Sequence, residues 1–152
     1  MNYKYKGAEA LVLLHEEKIL SFVEVWKTAK QAHLILPATD DSDYKSLNHL
    51  LRHVVRSSRG YMVWICKKLN LHEPKISIQP SVNEIEIAID EYVAHLLERW
   101  EIPLVKVDEK DLVYSTYSSN LGTDYCIEAM LEHAVMHPIR HEFQLRQLLK
   151  NS

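Results

Sequence analysis

Leu131-Glu-His-Ala-Val-Met-His-Pro-Ile-Arg-His-Glu-Phe-Gln-Leu145 carries three histidines, at 133, 137 and 141, each four residues after the last. Residues four apart lie one above the other on one face of an α-helix. The apolar residues around the stretch keep the same period: Ile127, Leu131, Ala134, Leu145, Leu148 and Leu149 set one core direction. Measured from that direction, His141 falls about 40° away, His137 about 80° and His133 about 120°, at the helical rotation per residue. His137 and His141 therefore look inward along the core edge, and His133 is outermost. Pro138 lies between the two inward histidines and is expected to bend or interrupt the helix, because its ring cannot donate to the Ala134 carbonyl.

Working outward, the whole chain reads as helix. It has 152 residues, suited to one domain over 1–152 with its own core, and 47% of them are hydrophobic, which excludes a disordered composition. Glycine occurs three times. Few turns and long periodic stretches predict an all-α protein, a four-helix bundle with long connections between helices 2 and 3 and between helices 3 and 4. The net charge of -3 supplies no basic surplus for nucleic acid or an acidic membrane surface. The apolar run at 10–14 is too short for a signal peptide or a membrane span. Cys66 and Cys126 are far apart and fall within expected helices, so they read as reduced thiols of a cytoplasmic protein.

The first helix is expected over 8–32, with Leu11, Leu14, Phe22, Val25, Trp26 and Ala29 on its inner face and His15 and His33 on that same face as core-edge histidines. The second is expected over 43–69. Leu47, Leu50, Leu51, Val54, Tyr61, Met62, Ile65 and Leu69 form its apolar face, and Arg52, Arg56 and Arg59 its solvated one. Asp41 and Asp43 suit its positive start, and Lys67 and Lys68 its negative end. His53 sits on the shoulder, in a stripe with Ser57, Gly60 and Trp64 that lines either an open cavity or a semi-exposed surface; His49 lies further round, toward solvent. The third helix is expected over 82–100, behind a capping box at Ser81-Val-Asn-Glu84, with His95 in solvent. The segment 101–121 has no clean period and reads as a crossover, or, at 114–120, as a cavity wall. The fourth helix is expected over 124–150.

Two helix-borne imidazoles one turn apart can grip one metal ion, but a catalytic site needs a third protein ligand and an open position. At this histidine content chance alone supplies roughly half of one four-apart pair, so the spacing is weak by itself. His53 is the best-placed third ligand, from another helix. Tyr61, Trp64 and Gln144 are candidates for the pocket wall or for support of the ligands.

Leu47-Asn-His-Leu-Leu-Arg-His53, followed by Glu132-His-Ala-Val-Met-His137-Pro-Ile-Arg-His141-Glu-Phe-Gln144, resembles the DinB/YfiT-like superfamily of metalloenzymes over nearly the whole chain. The resemblance implies a four-helix bundle with a divalent metal, zinc or nickel, on one His of the second helix and a His-x-x-x-His pair of the last: here His53, His137 and His141. The family's frequent His-Arg-Gly-Gln ending reads His141-Glu-Phe-Gln144 here, which changes the expected pocket shape. The resemblance further implies a metal-dependent S-transferase or isomerase using a low-molecular-weight thiol, and a homodimer; the same open metal position also suits a hydrolase that activates water. A fold does not determine a reaction. The competing expectation is a non-enzymatic helical stress-response or binding protein whose metal is structural or vestigial.

Overall fold

The computed structural model describes residues 1–152. In chain order it contains α1 (Lys6–Gln31), a 3-10 turn (Ser42–Tyr44), α2 (Leu47–Lys68), α3 (Ile85–Trp100), α4 (Glu109–Val113), β1 (Thr116–Ser118), β2 (Asp124–Cys126) and α5 (Ile127–Lys150). The four long helices pack as a bundle. α1 lies most extensively against α5, α2 sits between α5 and α3, and α3 also meets α1. The expected all-α architecture is present, with one addition: β1 and β2 form a small antiparallel hairpin that pairs Tyr117 with Tyr125. No helix is long and apolar enough to cross a membrane.

α1 buries a seam of Ala8, Val12, His15, Ile19, Phe22, Trp26 and Ala29 in alternating four- and three-residue steps, with Val23 and Val25 buried beside it. Such a seam is what two long helices present to each other. Leu14, expected on this face, is 40% exposed, because it stands one full residue rotation from His15. His33 also leaves the face: it ends the helix in the left-handed region, φ 52°, and is exposed. His15 is no edge residue. It is 1% exposed, stacks on Trp100 with ring centroids 3.7 Å apart, and its Nε2 hydrogen-bonds the Ser58 hydroxyl at 2.9 Å.

α2 starts later than the acidic run suggested. Asp41 caps the 3-10 turn by accepting from the Asp43 N–H at 2.9 Å, and Ser46 caps α2 itself by accepting from the His49 N–H. The arginine face is not free. Arg52 Nε donates to the Pro80 carbonyl and Arg59 Nε to the Ile76 carbonyl, which straps the 70–80 connection onto α2. From the other side His95, expected in solvent, accepts from the Ser77 N–H at 3.0 Å. Only half of the expected capping box before α3 forms: Glu84 accepts from the Ser81 N–H and hydroxyl, but the Glu84 N–H donates to the Ser81 backbone carbonyl rather than its side chain, and regular helix begins only at Ile85.

The segment 101–121 differs from a bare crossover: it contains α4 and β1, and it buries Leu104, Val107 and Leu112 in the core. Three- to five-residue elements are too short to show a period. α5 begins at Ile127 rather than 124, because Asp124–Cys126 pairs with β1. Cys126 is thus not inside the helix; its Sγ caps it by accepting from the Ala129 N–H at 3.5 Å. Pro138 does not interrupt α5, so His137 and His141 remain one turn apart on a continuous helix.

Candidate metal centre

α2 and α5 pack side by side, and this brings His53 against the His137/His141 pair. One nitrogen from each of the three rings lies within 4.8 Å of the other two. The Nε2 atoms of His53 and His137 are 3.1 Å apart. Two nitrogens bound tetrahedrally to one ion at zinc–imidazole bond lengths stand about 3.3 Å apart, so this pair already has ligand spacing. The rings of His137 and His141 are edge-to-face, with centroids 4.7 Å apart.

The outer nitrogens fix two of the three rings. His53 Nδ1–H donates to Asp43 Oδ2 at 2.9 Å, since a carboxylate only accepts. The same oxygen accepts from Arg56 Nη2 at 2.7 Å. Partial burial opposes ionisation of Asp43, but Arg56 and His53 outweigh it and hold the carboxyl below its ordinary range. His141 Nδ1–H donates to Gln144 Oε1 at 3.0 Å. In both rings the proton is thereby placed outside and the Nε2 lone pair inside. A carbonyl or carboxylate on the far nitrogen is the usual support of a metal-bound histidine. His137 Nδ1 is buried without a partner.

Burial also keeps His137 and His141 neutral. It pushes His137 down to about 2, helped by the neighbouring His141, His53 and Arg140, and His141 down to about 4 against the opposing Gln144 bond. Neutral imidazole is the ligand form. The residues present therefore fit a divalent ion: three nitrogen donors, two of them anchored from behind, on two rigid helices.

The three rings open onto a cleft of about 400 Å³, walled by Tyr44, Ser57, Tyr61, Leu121, His133, Arg140 and Gln144. Of the candidates read from sequence, Tyr61 lines this cleft, with its ring 5.9 Å from that of His137, and Gln144 supports His141. Trp64 does neither. It packs edge-on against Tyr117 of the hairpin, with Lys68 over its face. Gly60 of the same stripe is absent from the wall, whereas Ser57 is present. His133 borders the cleft between Tyr61 and Tyr125 but does not join the three converging nitrogens. Sequence reasoning missed Asp43, Tyr44, Leu121 and Arg140 as parts of this site.

Asp43→Ala is expected to weaken divalent-ion binding about 10- to 100-fold, the usual consequence of removing a ligand's outer partner. Asp43→Asn, which keeps an acceptor, should recover part of it. Competition against a chromophoric zinc chelator reads both, and equal affinities in all three proteins would remove Asp43 from the site.

No family model, no curated protein and no solved structure matches the chain.

Proposed function

We propose that the chain is a DinB-like metalloprotein in which His53, His137 and His141 hold one zinc or nickel ion, and that it acts as an S-transferase or isomerase using a low-molecular-weight thiol. The observation that carries the ion is the convergence of three imidazole nitrogens with the far nitrogens of His53 and His141 bonded to Asp43 and Gln144. The thiol chemistry rests on the sequence resemblance. A divalent ion with an open position supplies a lowered pKa to a thiol or water bound there.

The chain's own groups have separate tasks in this reading. The histidines are ligands and hold no exchangeable lone pair for base work. Tyr61 is kept protonated by burial, which pushes its phenol up to about 12, so it serves as a hydrogen-bond donor to bound substrate. Ser57, one turn after His53, lines the same space. Three ligands beside an open cleft support a reactive ion over a closed structural one, which ordinarily has four protein ligands.

The test is a cobalt(II)-substituted protein titrated with 2-mercaptoethanol. The expected result is about one ion per chain and a thiolate-to-cobalt charge-transfer band that saturates. No uptake of zinc, nickel or cobalt overturns the ion; uptake without a thiol band overturns the thiol chemistry and leaves the structural-ion reading.

A further inference from the structure

The histidine cleft has an acid-free wall. None of the ten residues that line it is an aspartate or glutamate, and its one fixed charge is the guanidinium of Arg140. Asp43 stands behind His53, where it is already occupied by His53 Nδ1 and Arg56. Arg140 forms no ion pair in the chain and, unlike Arg52 and Arg59, donates to no backbone carbonyl, whereas Arg56 pairs with Asp43 and Arg146 with Glu142. It lines the cleft together with Tyr44, Ser57, Tyr61 and the three converging histidines. The protein as a whole is acidic, at -3, so this positive wall is local and not a reflection of overall charge.

An unpaired guanidinium in a cleft of neutral donors is complementary to an oxyanion. The planar fork offers parallel N–H groups that match a carboxylate or phosphate edge. Ser57 and Tyr61, both of which carry a hydroxyl, line the same space. A cleft of about 400 Å³ lies near the small end of ligand sites.

We propose that this cleft binds a small organic molecule through an oxyanionic group, carboxylate or phosphate, gripped by Arg140 beside the three histidines. The inference deepens the ion-site reading and rests on it for the ligand's second anchor: the ion takes a donor atom while Arg140 takes the anion and fixes its orientation. Specificity then belongs to Arg140, because an uncharged analogue leaves the guanidinium without a partner.

The experiment compares wild type with Arg140→Gln, metal content being measured first in each. ¹⁵N-labelled protein, metal-free and zinc-loaded, is titrated with succinate, with inorganic phosphate and with neutral succinamide. Saturable shifts are expected at Ser57, Tyr61 and Arg140 with an anion and not with succinamide. Arg140→Gln is expected to bind at least about tenfold more weakly, as for loss of a charge-assisted bond, with its zinc content unchanged. Whichever anion binds identifies the source of the oxyanion. Arg140 is exposed, so the substitution leaves the core untouched. Arg140-dependent binding to a protein that takes up no zinc keeps the oxyanion site and defeats the ion reading. Equal affinity in both proteins, shifts confined to other surfaces, or no saturable binding of either anion overturns the proposal.

Discussion

A His137→Ala/His141→Ala double variant is expected to lose the stabilisation that a divalent ion gives the wild type, while remaining a helical bundle. An ion that binds the folded chain alone stabilises it by RT ln(1 + [L]/Kd), about 4 kcal/mol when free zinc exceeds Kd a thousandfold. The wild type should show an upward shift of that order in chemical or thermal unfolding on adding zinc; the variant should show none. Both histidines must go, because His53 and one remaining partner still make a two-nitrogen chelate. The fold should survive because the two rings face a cleft rather than the interior of the apolar cluster, and His137 already carries an unpartnered buried nitrogen that the substitution removes. The measurement is a pair of denaturation curves for each protein, metal-free and zinc-loaded. An equal zinc-dependent gain in wild type and variant would place the ion elsewhere and dissolve the site.

What was legible in the sequence follows from periodicity, and what was missed follows from its limits. The angular ordering of His141, His137 and His133 about the α5 axis could be read because a 24-residue helix repeats its apolar positions often enough to define a direction. The same logic placed His53 and Ser57 on a shoulder of α2, where they border the cleft. It failed at Trp64 because periodicity gives a direction but not an end. The stripe runs on past Tyr61 and passes beneath the β1–β2 hairpin, where Trp64 meets Tyr117. Nothing in the sequence announced the hairpin, whose two strands are three residues each. Asp43 had a signal that was assigned to another effect. An acid before α2 suits the helix dipole, yet the 3-10 turn carries it back alongside His53, ten residues later. Arg140 had no sequence signal as a cleft residue: an arginine on the outer half of an amphipathic helix is ordinary until the missing carboxylate partner is visible.

His15 is expected to make the protein acid-labile well above the range of its carboxylates. Burial alone pushes this imidazole from 6.5 down to about 3, and no charged neighbour contributes. The folded chain therefore keeps it neutral while the unfolded chain protonates it below about pH 6.5, so the unfolded state binds the extra proton. Stability is full above that pH and is lost as pH falls toward about 3, at roughly 1.4 kcal/mol per pH unit over most of the interval. The native state has no cheap way to accept the charge. The ring is sandwiched against Trp100, its Nε2 is engaged with Ser58, and its Nδ1 is buried without a partner. His15→Phe keeps the stack on Trp100 and removes the titration. At pH 7 the variant loses the Ser58 hydrogen bond, worth about 1 kcal/mol. Between pH 6 and 4 its stability should fall less steeply than that of the wild type by about 1.4 kcal/mol per unit, so the two curves cross and the variant becomes the more stable protein in acid. Urea unfolding of metal-free wild type and variant at half-unit pH steps measures the slopes. The comparison cancels the buried His137 and His141, which both proteins share, so parallel curves would show that His15 is not held neutral in the folded chain.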